Sequence, residues 1–284
     1  MDRRDFLKTG ALAGASLSLP LSVASAHSRA PLGAPAFLTR RDDRVARLGF
    51  IGVGLRGREH LRLTLQRPDT NVVAICDLDP AALAEAQKLV REAGRDAPAV
   101  YTGDDEAFRE MLGRGDLDGV FISTPWRWHT PMAVAAMRAG VYAGVEVSAA
   151  NTLEECWDLV NTHEATGVPC MILENVCYRR DVMAVLNMVR QGLFGELVHL
   201  ECGYEHDLRA IKFNDGTPGV GAEFGDNAFS EARWRTRHSV YRNGDLYPTH
   251  GIGPVGEWLN INRGNRFESL TSTSSKTRGL HEYI

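Results

Sequence analysis

The residues most able to do chemistry start with Gly52-Val53-Gly54-Leu55-Arg56-Gly57, which follow an apolar run, Val45 to Gly52, and lead into a stretch of helical composition, Gly57 to Gln66. Glycines at this spacing between a strand and a helix bring main-chain N–H groups up to a pyrophosphate. Gly52 permits the tight turn, Gly54 the close approach and Gly57 the packing of helix on strand. The anion then lies on the positive end of the helix dipole. Asp77 closes the next apolar run, Val72 to Cys76, where a carboxylate can accept hydrogen bonds from ribose hydroxyls. Such a carboxylate repels a 2'-phosphate, and the following residue is Leu78 rather than an arginine, which favours NAD over NADP. The alternative is that Asp77 is a turn residue ahead of Asp79, which caps a helix whose first residue is Pro80.

Three further sets carry polar or aromatic chemistry. Ser123 to Pro131 is an aromatic and basic loop after a strand, where open α/β sheets bind ligands, so Trp126 and His129 are candidate cofactor contacts while Trp128 could simply cover the sheet. Glu196 to His206 alternates, with Val198, Leu200, Cys202, Tyr204 and His206 on one face; this predicts a strand that either buries Tyr204 as core or presents it to a ligand. Pro248 marks a helix start with His250 in the first turn. Partial positive charge there disfavours imidazolium and suits a proton acceptor, the other reading being a capping or packing histidine. Arg235 offers a planar fork of donors, suited to sugar hydroxyls, to an acetamido carbonyl or to a surface carboxylate.

The elements that must hold these groups alternate. Apolar runs at Val45 to Gly52, Val72 to Cys76, Gly119 to Ser123, Val141 to Val147 and Cys170 to Glu174 are separated by helical spacing at Gly57 to Gln66, Pro80 to Ala93, Pro131 to Ala139 and Leu153 to Thr166. Continuous apolar strands between helices imply an α/β protein with a parallel sheet covered on both faces. The 284 residues, 44% hydrophobic and 24% charged with a net charge of -4, are of globular composition and lack the basic excess that nucleic acid binding requires. Five cysteines form no CxxC pair and no zinc spacing, so they are expected as small buried residues, with no metal. Arg3-Arg4-Asp5-Phe6-Leu7-Lys8, a mildly apolar stretch and Ala24-Ser25-Ala26 resemble a twin-arginine export signal, too short and too weakly apolar for a membrane span. Residues 1–26 are therefore expected as a leader and 27–43 as a linker. The nucleotide-binding domain is expected over 44–175 and a substrate domain over 176–284. Export in the folded state implies the twin-arginine machinery as a partner and a periplasmic or otherwise external location.

The glycine loop, Asp77 and Gly140-Val141-Tyr142-Ala143-Gly144-Val145-Glu146 resemble the Gfo/Idh/MocA oxidoreductases. Five segments are similar to a narrower group, glycoside hydrolase family 109, the NAD-dependent α-N-acetylgalactosaminidases: Trp126 to Ala133, Glu146-Val147, Leu173 to Arg180, Glu201 to Leu208 and Asn243 to Gly251. The resemblance implies a Rossmann domain with a doubly wound parallel sheet, followed by an α+β domain with an open sheet. It implies that Leu55, Arg56, Asp77, Trp126, Arg127, Trp128, His129, Glu146, Val147 and Asn175 contact NAD, and that Tyr204, Arg235, Tyr247, Pro248, Thr249 and His250 surround the sugar. Sugar dehydrogenases of the superfamily carry Glu-Lys-Pro where this chain has Glu146-Val147-Ser148, and an Asp where it has Leu246. Lacking both, the chain favours the hydrolase reading. Family members continue well past this C-terminus, so the second domain is expected to be incomplete.

The mechanism that the family implies is redox-neutral. NAD⁺ takes hydride from the sugar C3, the C2 proton becomes acidic, its loss expels the C1 leaving group, water adds, and the hydride returns. No pair of catalytic carboxylates is then needed. Tyr204, Tyr247 and His250 are the candidate acid and base residues, and the substrate is a glycan or glycoside ending in N-acetylgalactosamine. A plain NAD-dependent sugar dehydrogenase and a non-catalytic exported sugar-binding fragment are the competing readings.

Overall fold

A computed structural model of the chain describes residues 44–284 apart from Tyr247, Thr277 and Ile284. The expected leader and linker, and the candidate Tyr247, lie outside the described residues. Six strands, β1 (Ala46–Ile51), β2 (Thr70–Cys76), β3 (Ala99–Tyr101), β4 (Gly119–Ile122), β5 (Tyr142–Val145) and β6 (Cys170–Ile172), form a parallel sheet in the order β3-β2-β1-β4-β5-β6. Successive side chains leave a strand on opposite faces, and both faces are buried. Phe50 and Ile75 enter one cluster with Leu61, Leu83 and Val90 under α1 (Leu55–Leu65) and α2 (Pro80–Glu92). Ile51, Ala74 and Cys76 enter another with Phe108, Met111, Ile122 and Met137. That second face lies under α3 (Ala107–Leu112), α4 (His129–Arg138) and α5 (Leu153–Thr166). The expected doubly wound sheet is what the chain forms.

Local chemistry sets the helix ends. The Asp79 side chain accepts from the Ala81 N–H at 2.9 Å with Pro80 as the first helical residue, as the sequence predicts. Thr152 caps α5, and Gly167, at φ 69°, ends it in the left-handed conformation that costs glycine least. Up to the end of β6, two elements escaped the periodicity. β3 has three residues at a sheet edge and α3 has six, too few to display a repeat.

The strand order reverses between β1 and β4, which opens a crevice at their carboxyl ends. There the Ser123 N–H donates to the Ile51 carbonyl at 2.8 Å. Gly52, at φ 84°, sits so close that a Cβ would lie 2.6 Å from the Ser123 oxygen.

The region after β6 departs from expectation. It contains α6 (Arg180–Arg190), α7 (Arg209–Lys212), α8 (Arg235–Tyr241), α9 (Thr249–Trp258) and α10 (Gly279–Tyr283). Among the described residues it holds no strand, only an isolated bridge between Ile261 and Asn265. The strand expected over 196–206 and the open sheet are therefore absent there. An alternating segment becomes a strand only when a neighbour completes its hydrogen-bond ladder, and none of the described residues does so; Val198 is 88% exposed. The cysteines also differ from expectation, since Cys76 is buried but Cys156, on α5, and Cys202, in the unpaired segment, are exposed.

A Cβ on Gly57 would stand 2.0 Å from the Gly52 carbonyl oxygen, whereas one on Gly54 meets nothing within 4 Å. Gly57→Ala is therefore expected to cost at least about 2 kcal/mol, and Gly54→Ala no more than about 1 kcal/mol. Urea unfolding midpoints of the two variants check the contrast.

Candidate functional site

A cleft of about 670 Å³ lies over the carboxyl ends of the strands. Its floor is the glycine loop. Gly54 is the N-cap of α1, and no side chain caps that helix, so its first N–H groups face the cleft as donors for an anion. Asp77 holds the loop from the end of β2. One carboxylate oxygen accepts from the Val53 N–H at 2.7 Å and the other from the Asp79 N–H at 2.9 Å. Each oxygen keeps a further lone pair for a ligand hydroxyl.

Opposite the loop, Glu146 follows β5 and is 5% exposed. Its Oε1 accepts from Arg56 Nε at 2.7 Å and lies 2.6 Å from His60 Nε2, while Oε2 accepts from the Val147 N–H at 2.9 Å. Burial opposes ionisation of Glu146, but the bonds from His60, Arg56 and the Val147 N–H outweigh it and hold the carboxyl at about 2. His60 lies one turn beyond Arg56 on α1, so one helix face supplies both partners.

The aromatic loop forms the wall. Trp126 is 5% exposed and packs edge-on to Trp234 at 5.5 Å and against His238 at 4.8 Å. The Arg235 guanidinium lies over the Trp126 ring at 5.4 Å and donates to Glu231 at 2.5 Å. Burial, then Arg242 and Arg235, push the His238 imidazole down. Arg127 lies over the Trp128 ring at 5.8 Å. His129 is 1% exposed, and its ring nitrogens meet main-chain oxygens, Nδ1 at Ser148 (2.7 Å) and Nε2 at Thr124 (2.8 Å). Burial also lowers its basicity. The Nδ1 contact ties the aromatic loop to the loop after β5, while the Nε2 contact stays within the aromatic loop.

A second cluster stands at the end of β6. His250, on the first turn of α9, places Nδ1 2.6 Å from Glu174 Oε1. Tyr204 packs edge-on to the His250 ring at 4.6 Å, and its hydroxyl lies 2.8 Å from His206 Nδ1. Pro248 occupies the N-cap position of α9, and the buried Oγ1 of Thr249 has no hydrogen-bond partner among the described residues.

Gly52, Gly54, Leu55, Arg56, Asp77, Trp126 to His129, Glu146 and Val147 all line the cleft. Gly57 lies beneath it, packed on Gly52. Arg235 also lines the cleft, on the Trp126 side, although the sequence grouped it with the sugar residues. Tyr204, His250, Pro248 and Thr249 stand outside that lining, and Asn175 is exposed at the start of a short 3-10 turn, Asn175–Tyr178. Sequence reading passed over His60 and Glu174 as functional residues. Each carries a usable signal: Glu174 follows a strand as Asp77 and Glu146 do, and His60 repeats the helical register of Arg56.

Residues 46–174 match the oxidoreductase family with an NAD-binding Rossmann fold, and residues 178–284 match the C-terminal domain of glycosyl hydrolase 109. A glycosyl hydrolase family 109 protein of Parabacteroides distasonis is 52% identical over 99% of this chain and 62% of its own length. The chain is similar to this protein along nearly all of its own length. Another relative, an alpha-N-acetylgalactosaminidase of Tannerella forsythia, is 57% identical over 86% of this chain and 53% of its own length. The chain spans between 53% and 62% of the length of these relatives. A solved structure, the WlbA dehydrogenase from Bordetella pertussis in complex with NADH and UDP-GlcNAcA, has a TM-score of 0.48 at 25% identity, covering 55% of this chain and 43% of that one.

The residues present fit NAD, the cofactor of the fold that residues 46–174 match. The open space at Gly54 and the uncapped α1 terminus can cradle the pyrophosphate, and Asp77 can take the ribose. No helix among the described residues is long and apolar enough to cross a membrane.

Because the folded Glu146 carboxyl sits below its ordinary value, the stability it contributes is complete above about pH 5 and is lost as the pH falls toward 2. Held at about 2 against 4.5, it is worth about 3 kcal/mol at neutral pH. Glu146→Gln is expected to flatten the acid limb of the unfolding free energy by that amount, measured by urea titrations over this pH range.

Proposed function

We propose that this protein hydrolyses glycosides ending in α-N-acetylgalactosamine, using NAD held in the cleft. The observation that carries the reading is the joining of an NAD-binding Rossmann domain to a glycosyl hydrolase 109 C-terminal domain in one chain. The identity to the Tannerella forsythia alpha-N-acetylgalactosaminidase supports the sugar. Glu146, held ionised by His60 and Arg56, is not furnished as the general acid of a two-carboxylate mechanism.

Bound NAD would supply a reversible hydride acceptor for the sugar C3, and the chain must do the rest. His250 takes the C2 proton, since its ring belongs to the cluster at the carboxyl edge of the sheet. Tyr204, edge-on to that ring, orients the sugar and takes the C3 hydroxyl proton that must leave as the hydride does, its own hydroxyl proton passing to His206 Nδ1 and returning when the hydride returns. Thr249 Oγ1, buried without a partner among the described residues, is available to a sugar hydroxyl. Trp126 and Arg235, stacked on one another, line one wall of the cleft. The Arg3-Arg4 leader supports twin-arginine export of a folded, cofactor-loaded protein to the periplasm or beyond.

The test uses purified protein, NAD and a chromogenic α-N-acetylgalactosaminide in heavy water. Cleavage with deuterium at C2 of the released sugar and no net NADH is the expected outcome. His250→Ala is expected to lower kcat by roughly 100-fold or more. Net NADH formation from free sugar without glycoside cleavage would replace this reading with a dehydrogenase.

A further inference from the structure

The sugar dehydrogenases that this chain resembles carry an Asp where it has Leu246, four residues before His250. The fold supplies a carboxylate from elsewhere. Glu174, 7% exposed just after β6, places Oε1 2.6 Å from His250 Nδ1 across 76 residues of chain. The same oxygen accepts from the Val176 N–H at 3.0 Å. A main-chain donor therefore fixes the carboxylate independently of the histidine.

The approach of α9 is equally determined. Gly253, three residues beyond His250 and so on the same helix face, would carry a Cβ 3.1 Å from Glu174 Cγ and 3.0 Å from Cys177 Sγ. A side chain there would lift the helix off Glu174. The glycine is what lets the imidazole reach the carboxylate.

We infer that Glu174 is the positioning residue for His250. A carboxylate oxygen can only accept, so His250 carries its proton on Nδ1 and keeps the lone pair on Nε2. The carboxylate also stabilises the imidazolium formed when Nε2 takes a proton, as the buried Asp does in a Ser-His-Asp triad. This inference rests on the reading of His250 as the group that receives the C2 proton. It adds which atom receives it and what holds that atom in place.

The experiment records nitrogen-15 spectra of histidine-labelled protein above neutral pH, with the His250 signals assigned by their loss in His250→Gln. The expected result is the Nδ1–H tautomer in the unmodified chain, changing toward Nε2–H in Glu174→Ala. An Nε2–H tautomer in the unmodified chain overturns the inference without any variant having to fold. Kinetics give a second arm. Glu174→Gln keeps an acceptor for the Val176 N–H but loses the charge, and is expected to lower kcat roughly 10-fold to 100-fold with little change in KM. Adding it to His250→Ala should lower kcat no further, because Glu174 acts through that ring. Additive losses would make Glu174 a merely structural residue and overturn the inference. If no glycoside is cleaved while the tautomer is as expected, the proposed function fails and the positioning of His250 stands.

Discussion

The close packing of α1 on the exit from β1 is the constraint from which the site follows. Four residues separate Gly52 from Gly57, and the space between the carbonyl of one and the Cα of the other admits no side chain. Once the helix starts there, its uncapped terminus faces the crevice where the strand order reverses, and its next turn brings Arg56 and His60 to the end of β5. A helix begun even one residue later would leave the Glu146 carboxylate buried without its partners, at a cost of several kcal/mol.

Three acidic residues stand at strand ends, and their surroundings give them different tasks. Asp77, bonded by two main-chain N–H groups, shapes the loop and offers its remaining lone pairs to a ligand. Glu146, bonded by a guanidinium and an imidazole, stays ionised and locks two elements together. Glu174 meets one main-chain donor and one imidazole, and so can respond when that imidazole changes charge. The same chemical group thus serves as a ligand contact, a fastener and an aligner, and the donors around it decide which.

How much of this was legible in the sequence depends on which physical signal carried it. The parallel sheet and its flanking helices were readable, because strands buried on both faces leave long apolar runs. The glycine loop was readable because its backbone demands restrict the residue type. β3 and α3 were not, being shorter than the repeat that would reveal them. The alternation from Glu196 to His206 misled, since it records which faces differ in polarity and not whether a partner strand is present to pair. His60 and Glu174 were hidden for another reason. Their importance lies in partners 86 and 76 residues distant, and no local pattern encodes a pairing at that separation.

The link between Glu174 and His250 also orders the folding of the chain. A contact that closes 76 residues forms late, after the local turns and the neighbouring strand pairs have offset the loss of chain freedom. Until β6 has docked on β5, Glu174 has no fixed place and α9 has nothing to seat against. The nucleotide loop itself is held across a shorter span, Val53 to Asp77, while the Arg56 and His60 contacts with Glu146 that complete the cleft close 90 and 86 residues. The cofactor cleft and the proton-handling pair thus both wait on the last strands of the sheet.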